Sequence, residues 1–197
     1  MPGQVRVRAI QPAPVGVGLP GPVGGRTARL DRDLAGPELA AFATRLARDP
    51  DRWRHLVRHD DDARVYELIW ADDHVNAWVI CWSAGQDTGF HDHGRSAGGI
   101  HVVDGTICEE RLALWRPSVD RAFTPGSSFH VPPSAIHRVF HGGTRPAVSV
   151  HAYSPPLTQM GDYRFGPDGQ LEREARDCAL PSRTASFTVP EGAQQSA

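Results

Sequence analysis

The sequence has few cysteines, no long hydrophobic segment and almost no net charge. Its three cysteines, Cys81, Cys108 and Cys178, are scattered, which favours reduced thiols over a disulfide framework or a CxxC metal site. No apolar run approaches the length of a membrane span. A formal net charge of -2 gives no electrostatic reason to expect nucleic acid or an anionic membrane as a partner. The N-terminal segment lacks the continuous apolar stretch of a secretory signal, so we expect a cytoplasmic protein.

The 197 residues predict one folded domain between two flexible ends. Residues 1–26 are dense in proline and glycine and are expected to form a flexible arm. The polar residues 181–197 are expected to form a flexible tail. The domain is therefore predicted to span residues 27–180.

Within this domain, a short helical segment precedes a region of short strands. The helix is predicted in DLAGPELAAFATRLARDPDRW, because Leu39, Phe42 and Leu46 recur at helical spacing and Asp49-Pro50 ends the pattern. From Arg64 onward, strands are predicted in RVYELIW, VNAWVICW, GFHDH, GGIHVVDG, TICEERLAL, SSFHVPP, HRVFH and AVSVHAYS, followed by a hairpin that turns at PDG (167–169). Many short strands at close spacing predict an all-β dominated fold, either a barrel or a double-sheet jelly roll.

The ten histidines cluster in this β region. His91 and His93 lie two residues apart and therefore on one strand face, whereas Asp92 points to the opposite face. His137 and His151 lie in later strands. Neutral imidazoles bind iron, zinc, copper or nickel, and three of them leave positions open for substrate and dioxygen. An isolated HxH pair is equally compatible with polar residues on a solvated face, so the surrounding motifs must decide.

Two glycine- and proline-containing motifs frame these histidines. The segment GQDTGFHDH (85–93), with Gly105 after it, resembles the first cupin motif. The segment GSSFHVPPSAIH (126–137) resembles the second, except that Ser134 replaces its glycine. Such residues turn the corners of a barrel and bring imidazoles from separate strands to one centre. A typical cupin has a glutamate after HxH as a fourth ligand, and here Ala97 or Gly98 occupies that place.

A three-histidine cupin without this glutamate resembles the cysteine dioxygenase family. The segments CWSAGQDTGFHDH, IHRV and AVSVHAYSPP are similar to signature segments of that family, and the likeness extends over roughly residues 64–165. It implies an Fe(II) cofactor and the addition of O2 to a small-molecule thiol to give a sulfinic acid. The implied iron ligands are His91, His93 and His137. The implied relay consists of Ser149, His151 and Tyr153, with Tyr153 donating a hydrogen bond to the oxygen substrate. Both monomer and dimer remain open.

Two positions depart from the mammalian pattern of this family. Gly98 occupies the position of a cysteine that is cross-linked to the tyrosine there, so we expect no thioether with Tyr153. Tyr66 occupies the position of the arginine that binds the substrate carboxylate. Arg64 and Arg95 are candidate replacements for that arginine, although either is also compatible with a solvated surface residue.

The loss of that arginine leaves cysteine, 3-mercaptopropionate and ergothioneine open as substrates and favours one of the two non-cysteine thiols. The trimethylammonium group of ergothioneine would suit an aromatic cage. Aromatic residues that could form one are Tyr66, Trp70, Trp78, Trp82 and Phe90, although tryptophans in strands usually pack in the core. The predicted substrate contacts are Tyr66, Arg64, Arg95, Trp82 and Phe90. The alternative function is a metal-binding cupin without oxygenase activity, such as an isomerase or a small-molecule sensor.

Overall fold

The structure, a computed structural model, describes residues 30–113 and 118–178. The predicted N-terminal arm and C-terminal tail lie outside these residues. The described chain begins with one helix, α1 (Pro37–Ala47), and two short 3₁₀ turns, Pro50–Arg52 and Arg54–Leu56. The strands that follow are β1 (Val65–Ala71), β2 (Asn76–Trp82), β3 (His91–Asp92), β4 (Ala97–Asp104), β5 (Ile107–Arg111), β6 (Val119–Phe123), β7 (Ser128–Val131), β8 (His137–His141), β9 (Ala147–Ser154), β10 (Gln159–Phe165) and β11 (Leu171–Asp177).

Helix α1 forms where the apolar spacing predicts it. Gly36 adopts a positive φ of 51° immediately before Pro37, whose fixed φ suits the first helical turn. Leu39, Phe42 and Leu46 are buried on one face of the helix. The helix gives way to a 3₁₀ turn at Asp49-Pro50, because proline lacks the N–H that an α-helix needs there.

The strands form two antiparallel sheets. The first has the order β1-β2-β9-β4-β7 and the second has the order β11-β10-β3-β8-β5-β6. This arrangement is the double-stranded β-helix of the cupin fold, as the sequence predicted. Strand β6, in the charged segment VDRAF, was not predicted, whereas the final hairpin is present as strands β10 and β11.

The five-stranded sheet has an inner face toward the second sheet and an outer face toward α1. On the inner face, Trp78 lies opposite His151 and Ile80 lies opposite Ser149 in the β2–β9 pairing. Buried apolar residues between the sheets are Trp82, Ile100, Val102, Ile107, Val131, Val139 and Ala147. On the outer face, α1 packs on Val75, Ala77, Val150 and Ala152. The two faces thus separate an inner core, which surrounds the histidines, from a structural core under the helix.

Two further features concern the thiols and the helices of the described residues. Cys81, Cys108 and Cys178 are all free thiols. None of the described helices has the length and apolar character required to cross a membrane.

Candidate functional site

Three histidines from two neighbouring strands converge between the sheets. Strand β3 pairs with β8 so that His91 lies directly opposite His137, and His93 follows on the same side as His91. The Nε2 atom of His93 lies 3.2 Å from Nε2 of His91 and 3.3 Å from Nε2 of His137. All three side chains are buried, with exposed fractions of 4% or less. The structure therefore brings together the three residues that the sequence predicted as metal ligands.

The backbone and a carboxylate determine where two of these imidazoles carry their proton. The Nδ1 atom of His91 lies 3.0 Å from the carbonyl oxygen of Gly89, and Nδ1 of His137 lies 3.1 Å from Oε1 of Glu109. Because both oxygens accept hydrogen bonds, each Nδ1 must be the donor, and each Nε2 keeps a lone pair. Burial, followed by the neighbouring histidines, lowers the pKa values of His91 and His93 well below the usual range.

This arrangement fits a bound metal ion. The lone pairs on Nε2 of His91 and of His137 both face Nε2 of His93, at 3.2 and 3.3 Å, and a cation at this point could bind all three nitrogen atoms. Nitrogen atoms this far apart are compatible with bonds of about 2.0–2.1 Å to a single ion. Among the described residues, His91, His93 and His137 form the one group of metal-ligating side chains with this geometry. Three imidazoles suit iron, zinc, copper or nickel, and the remaining positions stay open to other ligands.

A hydrogen-bonded chain along β9 runs beside the histidine cluster. Ser149, His151 and Tyr153 alternate on the inner face and are all buried. The Nε2 atom of His151 lies 2.9 Å from the hydroxyl of Ser149, and its Nδ1 lies 3.3 Å from the hydroxyl of Tyr153. The ring of Tyr153 packs edge-on against His93, with 4.8 Å between ring centroids. The chain thus connects Ser149 to the edge of the candidate metal centre.

The direction of this chain follows from Trp82, whose indole N–H can only donate. It donates to the Ser149 hydroxyl over 2.9 Å, so the Ser149 hydrogen is available to Nε2 of His151. Nδ1 of His151 then carries the proton and donates to Tyr153, which leaves the phenolic hydrogen of Tyr153 free. Burial, with smaller effects of His137 and Arg64, lowers the pKa of His151 to about 3, and burial raises that of Tyr153. Both groups are therefore neutral at physiological pH.

The positive charge of Arg64 acts on His151 and Tyr153. Its guanidinium lies 5.0 Å from the centre of the Trp82 ring, and its Nη1 donates to the Asp87 carbonyl over 3.0 Å. The residue is half-buried, and its Nε is shielded from solvent without a hydrogen-bond partner. Its charge contributes to lowering the pKa values of His91 and His151. No carboxylate within residues 30–113 or 118–178 forms an ion pair with Arg64, so its charge is available to an anion.

The other predicted substrate contacts are distributed differently. Tyr66 lies on β1, two residues after Arg64, and interacts electrostatically with Arg64 and Arg176. Trp82 is fully buried behind Ser149. Phe90 packs against the guanidinium of Arg138, outside the histidine cluster, and Arg95 is exposed in the loop after His93.

The proposed aromatic cage is only partly assembled. Trp78 contacts Tyr153 with 5.6 Å between ring centroids, whereas Trp70 packs on Phe42 of helix α1, on the outer face of the sheet. The structure therefore places Trp70 and Phe90 apart from Trp78 and Trp82. A β-bulge between Leu68 and Trp70 shifts the pairing of β1, which turns Trp70 away from the inner face.

Asp92 points away from its histidine neighbours, as alternation predicts. Its carboxylate accepts two hydrogen bonds from Arg173 of β11, at 2.7 and 3.0 Å, and one from Tyr163 of β10 at 2.7 Å. Burial raises the pKa of Asp92, but these hydrogen bonds and that of the Gly94 N–H outweigh the effect and lower it. Asp92 therefore joins the histidine-bearing strand to the final hairpin.

Glu109 is the residue that the sequence analysis missed. It lies on the inner face of β5 beside the core residue Ile107, with an exposed fraction of 1%, and bonds to His137. Strand alternation could have identified it. Ile107 and Glu109 share one face of β5, so Glu109 is an acidic residue at a position where an apolar core residue is expected.

Comparisons with known proteins identify a matching family and several similar chains. The family model described as cysteine dioxygenase type I matches residues 31–165. The human cysteine dioxygenase type 1 is 26% identical over 131 residues, which cover 61% of this chain and 65% of the human protein. The zebrafish (Danio rerio) cysteine dioxygenase type 1 is 26% identical over 121 residues, which cover 55% and 60%. A Klebsiella pneumoniae structure described as having a double-stranded β-helix domain has a TM-score of 0.47 at 16% identity, and covers 52% of this chain and 80% of that chain.

Proposed function

Because the chain belongs to the cysteine dioxygenase type I family, we propose that it is an iron-dependent dioxygenase of a small-molecule thiol. The proposed reaction is R–S⁻ + O2 → R–SO2⁻, in which both oxygen atoms are transferred to sulfur and sulfur is oxidised to the sulfinate level. The observation that carries the proposal is the combination of three neutral histidines with a hydrogen-bonded chain that ends in a tyrosine hydroxyl beside them.

We assign His91, His93 and His137 as the ligands of Fe(II). When bound there, iron would supply the redox chemistry that lets O2 react with a thiolate. Since all three ligands are neutral, the charge of a divalent ion is not compensated by the protein ligands. Such a centre favours an anionic partner, and a thiolate fits this requirement.

We assign Tyr153 as the residue that donates a hydrogen bond to the reacting oxygen. Its hydroxyl accepts from His151, so its own hydrogen can be donated toward the histidine cluster. His151 and Ser149 are positioning residues that hold this hydroxyl in place. A buried phenol with a raised pKa keeps its proton, so Tyr153 acts as a donor over the physiological pH range.

We propose that the substrate is a thiol that contains a carboxylate, and we favour 3-mercaptopropionate. Arg64 forms no ion pair with a carboxylate of the described residues, and its charge acts on His91 and His151, which suits binding of a carboxylate. The Trp82 face on which a trimethylammonium group could rest already contacts Arg64. With Trp70 on the outer face, the basis for an ergothioneine cage is weaker than the sequence suggested.

The proposal can be tested by loading the purified protein with Fe(II) under anaerobic conditions and recording O2 uptake. The thiols to compare are cysteine, 3-mercaptopropionate, ergothioneine and cysteamine, the last of which has no carboxylate. We expect uptake with 3-mercaptopropionate and a sulfinate product. Absence of uptake with every thiol, in protein that retains its iron, would refute the proposal. Tight zinc binding in the same preparation would then favour the non-oxidising cupin.

A further inference from the structure

The three histidines differ in the groups that contact their Nδ1 atoms. The Nδ1 atom of His91 donates to the carbonyl of Gly89, and Nδ1 of His93 is buried without a partner among the described residues. Within residues 30–113 and 118–178, His137 alone has a charged partner at its Nδ1, the carboxylate of Glu109. The three candidate ligands are all imidazoles, but the groups that contact their Nδ1 atoms differ.

Glu109 is held in one position by two contacts. Its Oε1 accepts hydrogen bonds from Nδ1 of His137 at 3.1 Å and from Nε of Arg111 at 2.8 Å. The guanidinium of Arg111 also donates to the carbonyl of His130 over 2.6 Å, which anchors it to β7. The Oε2 atom of Glu109 is buried and has no partner in the described part of the chain.

Such a carboxylate has two effects on the imidazole in front of it. It retains the proton on Nδ1, so that Nε2 presents its lone pair to the other two histidines. It also makes Nε2 a stronger ligand for a metal, because the carboxylate attracts the proton on Nδ1 and increases electron density on the ring. Nε of Arg111, part of a permanently charged guanidinium, lies 2.8 Å from Oε1 of Glu109 and favours the ionised carboxylate. Glu109 thus places one negative charge next to Nδ1 of His137, whereas the three proposed ligands themselves have no negative charge.

We propose that Glu109 is a positioning residue for the metal, which orients His137 and strengthens it as a ligand. The inference rests on the proposed function, since it assumes a metal at the three histidines. Glu109 does not replace the absent carboxylate ligand of other cupins, because its carboxylate bonds to Nδ1 of His137 rather than facing the centre.

The test compares Glu109→Gln with the wild-type protein. Glutamine keeps the size of the side chain and an oxygen that accepts from His137, but it removes the charge. The matched control is Glu110→Gln, because Glu110 is the next residue along β5 and pairs with Arg138 on the opposite face. Affinity for Fe(II) is measured without oxygen by competition with a chelator, and the absorption spectrum of the Co(II)-loaded protein reports the ligand environment.

We expect Glu109→Gln to bind Fe(II) about 10- to 100-fold more weakly and to change the Co(II) spectrum, whereas Glu110→Gln leaves both unchanged. Glu109→Asp retains the charge and should therefore bind Fe(II) more tightly than Glu109→Gln. If the glutamine variant does not fold, the Fe(II) affinity and Co(II) spectrum of Glu109→Asp are compared with those of the wild type. Equal affinity of wild type and Glu109→Gln would overturn the inference, as would an equal loss in Glu110→Gln. If the wild-type protein itself binds no Fe(II), the proposed function fails instead.

Discussion

Replacement of Arg64 by methionine tests the assignment of a carboxylate-containing substrate. Methionine retains an apolar side chain that packs on Trp82, as the arginine stem does, but it removes the guanidinium. The charge of Arg64 acts on His91, and its Nε has no hydrogen-bond partner in the described residues, so loss of the charge should affect binding of an anion at the histidine cluster.

The size of the effect follows from the strength of a charge-assisted hydrogen bond. Such a bond contributes about 1.5–3 kcal/mol, which corresponds to a factor of about 10 to 150 in kcat/KM. The loss should apply to 3-mercaptopropionate and not to cysteamine, which has no carboxylate. Lysine at position 64 should restore part of the activity, because it keeps the charge but not the forked geometry.

The assay is steady-state O2 uptake with both thiols, expressed as the ratio of their kcat/KM values. Arg95→Met is the matched control, since Arg95 is an exposed arginine in the loop after His93. We expect the ratio to fall in Arg64→Met and to remain unchanged in Arg95→Met. An unchanged ratio in Arg64→Met would refute the role of Arg64, and a fall in Arg95→Met would transfer that role to the loop.

Three further predictions concern the tyrosine hydroxyl, the helix contact and an ion pair. Tyr153→Phe should lower kcat at least about tenfold with a small change in KM, because it removes one donor to the reacting oxygen; an unchanged kcat by O2 uptake would contradict this role. Gly99→Ala should destabilise the fold by about 1–3 kcal/mol or more, since its Cβ would lie 2.5 Å from the α1 backbone. At Gly98, a Cβ would approach other atoms only to 3.4 Å, so Gly98→Ala should cost less in urea unfolding, and equal losses would be inconsistent with this packing. Burial raises the pKa of Glu110, but hydrogen bonds from Ser118 and Arg138 lower it below its usual value. The pair with Arg138 should therefore contribute about 1 kcal/mol of stability above about pH 4.5, and this should disappear as the pH falls through the lowered pKa. A stability difference between wild type and Glu110→Gln that does not decrease in acid would argue against this.

The sequence predicted those parts of the site that follow from local alternation. His91 and His93, like His151 and Tyr153, lie two apart on strands, and a two-residue period places each pair on one face. The pairing of β3 with β8 then brings His137 to the first pair. The glycine and proline framework of the motifs made this pairing predictable.

What the sequence could not predict depends on irregularity and on long-range contacts. The bulge in β1 reverses the face of Trp70, and no residue type in that segment signals the bulge. Glu109 lies 28 residues from His137, and their contact exists only because β5 pairs with β8. Phe90 immediately precedes His91, yet its ring packs on Arg138. Arg138 follows His137 on β8 and therefore points to the face opposite the histidine cluster.

Incorporation of labelled oxygen tests the central claim most directly. The Fe(II)-loaded protein is supplied with 3-mercaptopropionate and ¹⁸O2, and the product is analysed by mass spectrometry. We predict a sulfinate that contains two ¹⁸O atoms. A product with one ¹⁸O atom or none, or formation of a disulfide together with peroxide, would contradict the assignment as a thiol dioxygenase.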